Sequence, residues 1–204
     1  GVSVGRRFPG IDWKVIRIVD GPIETLDQIE ELRPGQIGEL IVRGDVVTQA
    51  YVNRPDANRW GKIADSTGES PADSSSAIFW HRMGDLGYLD RGATDPAARF
   101  WFCGRLAHRV TTADGELFTI PCEAIFNTHP DVARTALVGV GRRGAQRPVL
   151  IVEPRPDGFP RTRKAWNSLV GQLQRLGSAH DVTARIETFL LHRGFPVDIR
   201  HNAR

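Results

Sequence analysis

The segment from Trp80 to Arg109 constrains this chain more than any other. It reads WHRMGDLGYLD, then a loop, then RFWFCGRLAHR. Within thirty residues lie a Gly84-Asp85-Leu86-Gly87 stretch read as an acidic turn, an aromatic strand pattern at Phe100, Trp101 and Phe102, and a Gly104-Arg105 exit. Apolar and aromatic runs punctuated by glycine read as strands and turns rather than helices. Asp85 and Arg105 then each end a β-like run, where a side chain faces a ligand instead of a core. The segment is expected to be half of a functional site.

The residues on either side differ in character. Trp13–Val19 (WKVIRIV) reads as a strand closed by Asp20-Gly21-Pro22, and Ile37–Gly44 as a second strand after Arg33-Pro34-Gly35. Strands separated by Gly and Pro turns suggest a small antiparallel barrel or sandwich. A short helix is expected near Pro55-Asp56, and Lys62–Ser76 reads as a polar surface loop. The strand pattern resumes at Ala77–Trp80, Tyr88–Asp90 and Arg99–Cys103. Beyond Arg105, Ala113-Asp114-Gly115 between β-prone arms signals a hairpin. Pro121 opens a short helix through Phe126 that His129-Pro130 ends. Strands follow at Val132–Val140 and Pro148–Val152. Lys164–Leu176 carries an apolar helical face, and a second helix is expected from Asp181 through Leu190. The fold class is therefore α+β: a β-rich, barrel-like body, then a small unit with a three-stranded type of sheet and helices.

Length and charge narrow the class. A chain of 204 residues suits one large or two small domains with a real core. No apolar run approaches the roughly 18 residues of a membrane span. Two cysteines are too few for a disulfide framework, so a reduced, cytoplasmic setting is expected. Residues 104–204 hold 15 Lys+Arg against 9 Asp+Glu, and residues 1–103 hold 12 against 15. A basic half of this kind is compatible with an acidic partner or with plain solvation, but its scattered arginines carry no nucleic-acid motif. The histidines show no metal-ligand spacing. A chain that opens on Gly1 with a single methionine, Met83, is expected to be a processed chain or an excised fragment.

Several pieces coincide in order: RRFPG, KVIRIVDG, GELIVRGDVVTQAYVNRP, WHRMGDLGYLD, WFCGR, and a glycine-bearing hairpin ending in PCEAIF. Together they resemble the adenylate-forming superfamily of acyl-CoA synthetases, luciferases and peptide-synthetase adenylation domains. WHRMGDLGYLD…WFCGRLAHRV…TIPCEAIFNTHPDVARTALVGVG most resembles the β-lactone synthetase branch of olefin biosynthesis. That family's Ser/Thr/Gly-rich phosphate loop has no counterpart string here, so the resemblance implies the C-terminal part of a longer ATP-dependent ligase that is inactive alone. It implies residues 1–105 as the end of the large AMP-binding domain, 106–108 as a hinge and 109–204 as a small mobile domain.

The resemblance also implies roles. Asp85 accepts hydrogen bonds from the ribose hydroxyls of ATP or AMP, Arg105 sits beside it, and Phe102 packs against the nucleoside, although a strand aromatic packs a core as readily. Leu106, Ala107 and His108 fall at the interdomain hinge, where Ala107 replaces the usual Asp or Lys. The hairpin at Asp114 and Gly115 enters the active site after domain rotation, and Glu123 matches a family glutamate that a first helical turn also favours. At the family's catalytic lysine position stands Arg204, which keeps the charge without the same geometry. The implied cofactors are ATP and the Mg2+ that accompanies it. The implied substrate is a fatty acid, in this branch a 3-hydroxy fatty acid closed to a β-lactone, with partner enzymes of the same pathway. Two readings stand beside this one: an acyl-CoA or acyl-carrier-protein ligase, and a non-catalytic interaction module.

Overall fold

The computed structural model describes residues 1–65 and 79–196. The expected polar loop beyond Asp65, the strand start at Ala77-Ile78, and Arg204 lie outside the described residues. The chain divides into two compact units, Gly1–Ala107 and His108–Arg204.

In the first unit, strands β1 (Val2–Gly5), β2 (Ile11–Ile16) and β3 (Gly38–Gly44) precede helix α1 (Pro55–Gly61). Strands β4 (Lys62–Ala64), β5 (Phe79–Leu89) and β6 (Phe100–Arg105) follow. They form one six-stranded sheet in the order β1-β6-β5-β3-β2, with β4 also paired to β5. Every pairing is antiparallel. The hydrogen-bonded path ends at β1 and β2, so among the described residues the barrel-like body is an open sheet.

Strand alternation explains why this sheet is apolar on both faces, since successive side chains point to opposite sides. Val15 and Leu40, paired across β2 and β3, belong to one core cluster with Trp13, Leu89 and Phe100. Their neighbours Ile16 and Ile41 belong to another with Ile23, Ile63 and Trp80. Three expectations change here. The strand expected over Trp13–Val19 starts earlier and stops at Ile16. Lys62–Ala64, expected in the polar loop, is strand β4, because Ile63 is fully buried and pairs Trp80. The two short strands expected on either side of Gly84-Asp85 are one eleven-residue strand, β5, so the acidic turn is a bulge within it.

The second unit opens with the hairpin β7 (Val110–Thr112) and β8 (Gly115–Leu117), whose register pairs Thr112 with Gly115. Helix α2 (Thr119–Phe126) follows, beginning two residues before Pro121, so the arm expected at Thr119-Ile120 is helical. Strands β9 (Val132–Val140) and β10 (Arg147–Pro154), helix α3 (Arg163–Ser178) and strand β11 (Thr188–Leu191) complete it. The sheet order is β11-β10-β9, antiparallel between β9 and β10 and parallel between β10 and β11. A parallel pair needs a long crossover, and α3 supplies it. Thr162 caps α3 by accepting from the Ala165 N–H at 3.1 Å. Leu169 and Leu173, one turn apart, bury against Phe126, Leu150 and Phe189.

The helix expected from Asp181 does not form. Asp181–Arg185 is a turn, and Thr188–Leu191 pairs with Val149–Val152 as a strand. Ile186, Phe189 and Leu190 fit helical spacing, but β10 offers an open edge that the short strand Thr188–Leu191 completes. Tertiary pairing overrides a local pattern this short.

Candidate functional site

Strand β5 owes its bulge to a mismatch of register. On β3, Glu39 pairs Leu86 and Ile41 pairs Arg82. Leu40 alone therefore faces the stretch Met83-Gly84-Asp85, and the excess is pushed out of the ladder. Gly84 permits this with φ of +66°, a left-handed conformation that costs other residues steric strain. On the other side Asp85 pairs directly with Arg105 of β6, which itself follows Gly104 at φ +132°. Each member of the pair thus leaves its strand after a glycine in a conformation few other residues adopt.

Asp85 Oδ1 and Arg105 Nη1 lie 2.6 Å apart, with the carboxylate side chain 19% exposed and the guanidinium side chain 56% exposed. The charges touch, yet the angles are not those of a hydrogen bond, and Oδ1 has no other donor although it is fully buried. Burial pushes the Asp85 carboxyl above its ordinary range, and the Arg105 charge pulls it part of the way back. An unsatisfied buried acceptor costs about 1–3 kcal/mol, a cost the fold carries at Oδ1. Because Oδ1 itself is covered, the exposed fifth of this side chain lies on its other atoms, where a ligand reaches it. The half-sheltered carboxylate can accept from a hydroxyl while the exposed guanidinium beside it donates to another oxygen, an arrangement that suits a vicinal diol or a sugar next to a phosphate.

The other expected residues are placed as follows. Phe102 pairs Gly87 and Val2 and packs, partly buried, against the cluster of Trp13, Leu40 and Phe100, so much of its ring serves the core. Leu106, Ala107 and His108 form one 3-10 turn, within which the two compact units divide. In the second unit, Asp114 and Gly115 are exposed at the hairpin tip. There the Thr112 hydroxyl donates to the Gly115 carbonyl at 2.8 Å and accepts from the Asp114 N–H at 3.2 Å. Glu123 of α2 accepts from the Leu137 N–H of β9 at 2.8 Å, a structural tie between helix and sheet. Both cysteines are buried, and burial pushes the Cys122 thiol up to about 12, so it stays protonated and inert. Among the described residues no helix is long and apolar enough to cross a membrane. Nor, among them, do three His, Cys, Asp or Glu side chains gather where they could hold a metal ion.

One buried pair escaped the sequence. Arg82, three residues before Asp85, donates from Nε and Nη2 to Glu39 of β3, at 3.1 Å and 2.6 Å to Oε2. It also donates to the carbonyls of Val19, at 2.9 Å, and Gly21. The two side chains are 4% and 1% exposed. The available signal was Glu39 itself, a lone charge directly before the apolar run Leu40-Ile41-Val42.

The topology defines a class. The chain has the fold of the C-terminal portion of the adenylate-forming enzymes. An O-succinylbenzoate coenzyme A synthetase of Bacillus subtilis, solved in complex with AMP, matches it with a TM-score of 0.66 and 19% identity over 98% of this chain and 33% of its own. At the level of sequence the chain is a homologue of the olefin β-lactone synthetases. It is 44% identical over all 204 residues to that enzyme of Xanthomonas campestris and 42% identical to that of Stenotrophomonas maltophilia. In both cases it spans 34% of the relative's length, about a third. No protein-family model matches the chain.

Proposed function

We propose that this chain is the C-terminal part of an ATP-dependent β-lactone synthetase acting on a 3-hydroxy fatty acid. In this reading the fatty carboxylate attacks the α-phosphorus of ATP and pyrophosphate leaves, giving an acyl-adenylate. The substrate's own 3-hydroxyl then attacks the acyl carbonyl, its proton is lost, and AMP departs as the four-membered lactone closes. An internal nucleophile replaces a second substrate, so no thiol is required. Asp85 accepts from the ribose hydroxyls and Arg105 donates to the neighbouring oxygens. Leu106–His108 is the pivot between a large and a small domain. The hairpin at Asp114-Gly115 shields the adenylate from water. Arg204, at the family's lysine position in the sequence, supplies the adenylating cation.

The observation that supports this best is the cross-strand Asp85–Arg105 pair with its unsatisfied buried oxygen, in a chain 44% identical to an olefin β-lactone synthetase. The test is a chimera in which this chain replaces the matching third of the Xanthomonas campestris enzyme. With ATP and a 3-hydroxy fatty acid, lactone and AMP are expected without coenzyme A. A thioester formed only when coenzyme A is added would favour an acyl-CoA ligase. A chimera that folds but releases no pyrophosphate would favour a non-catalytic module.

A further inference from the structure

The buried Arg82–Glu39 pair does more than occupy the core. In register, Arg82 stands opposite Ile41 at one end of the bulge, and Glu39 stands opposite Leu86 at the other. The ion pair therefore spans the bulge diagonally, and its contacts at 2.6–3.1 Å tie one end to the other. Other guanidinium N–H groups hold the Val19 and Gly21 carbonyls, so the turn after β2 is fastened to the same point. A planar fork with fixed donor directions sets a distance and an angle, which a point charge does not. Between these two ends Met83-Gly84-Asp85 bulges, and Asp85 lies opposite Arg105.

We propose that Arg82 and Glu39 are positioning residues for nucleotide binding, stapling the bulge so that Asp85 is held half-buried against Arg105. The proposal rests on the reading of Asp85 and Arg105 as a ribose clamp for its consequence in binding, but not for its structural claim. An ion pair placed elsewhere in the sheet serves as the comparison. Arg43 of β3 bonds Asp12 and Asp65 at 2.7 Å each and lies over the Trp80 ring, away from the bulge.

The experiment follows the Asp85 carboxyl carbon by NMR as pH is varied, in the 204-residue chain, and adds AMP titrations. Arg82→Lys keeps the charge and loses the fork. Arg82→Met combined with Glu39→Gln removes both charges, so that no buried charge is stranded should the single change fail to fold. In both, the Asp85 titration is expected to move down towards an ordinary aspartate as the carboxyl leaves its sheltered seat. AMP affinity is expected to fall at least tenfold. Arg43→Met is expected to lower the melting temperature while leaving the Asp85 titration in place. An unchanged Asp85 titration in folded Arg82 variants would overturn the proposal, as would an equal shift in Arg43→Met. Asp85→Asn separates the two readings: if it leaves AMP affinity unchanged, the ribose clamp is wrong, while the titration still decides whether Arg82 positions Asp85.

Discussion

Two carboxylates, one in each unit, are pushed above their ordinary range by the same cause and put to different ends. Burial raises Glu123 in the second unit and Asp85 in the first. Glu123 meets a donor from its own fold, the Leu137 N–H, and thereby fastens α2 to β9. Asp85 Oδ1 meets no donor in good geometry. The first is a closed arrangement, complete without a ligand. The second stays open, and the fold accepts the cost of an unsatisfied acceptor beside an exposed arginine. A raised carboxyl alone would not have told them apart; the accounting of donors does.

The largest expected effect breaks the comparison through function. In the chimera, Asp85→Asn should lower kcat/KM for ATP by roughly 10–100-fold, the value of a hydrogen bond to a charged group. Glu123→Gln keeps an acceptor for Leu137 and should change it by less than about threefold on the same reasoning. Similar losses in both variants would mean that Asp85, too, serves the fold alone. Stability should respond the other way round. Glu123→Ala strands the Leu137 N–H and should cost about 1–3 kcal/mol in urea denaturation. Asp85→Ala removes an acceptor that has no donor, and should cost less than about 1 kcal/mol by the same accounting.

The bulge offers a smaller lever. Gly84 holds φ +66° with open space where a Cβ would be. Gly84→Ala therefore meets conformational strain without a clash, about 1–2 kcal/mol. If the residue stays left-handed, the chain is destabilised by that amount and AMP binding survives. If β5 relaxes instead, Asp85 leaves Arg105 and binding weakens with little loss of stability. Urea midpoints measured beside AMP affinity distinguish the two.

How much of this was legible in the sequence follows from how local each feature is. The β7–β8 hairpin, β3 and α3 were readable because turn chemistry and apolar period specify them within a dozen residues. The Asp85 and Arg105 pair was readable as motif, yet its register was not, since it depends on how β6 aligns after the Asp90–Arg99 loop. The bulge looked like a turn because Gly-Asp suits either, and only the count of residues on β3 decides. Strand β11 looked helical because its apolar spacing fits both periods and its partner lies some forty residues earlier. Arg82 and Glu39 went unread for the same reason: a buried ion pair is a fact of tertiary structure.

The smallest effect is the pH dependence, and its sign sharpens the comparison. A carboxyl whose folded value lies above its unfolded one binds its proton more tightly when folded. Its contribution to stability is fully present below the unfolded value, near 3.8 for Asp85, and is lost as pH rises through the raised folded value. Asp12 and Glu153 are shifted downward and slope the opposite way, so the raw profile of the chain mixes both signs. The difference between the parent chain and Asp85→Asn isolates the one group. Relative to the variant, the parent should be most stable in acid and should lose ground as pH rises from 3 towards 7. Glu123→Gln should give a difference of the same sign. A difference of opposite sign for Asp85 would mean that the Arg105 charge outweighs burial. The site would then be a closed ion pair, like the ones that merely hold the sheet together.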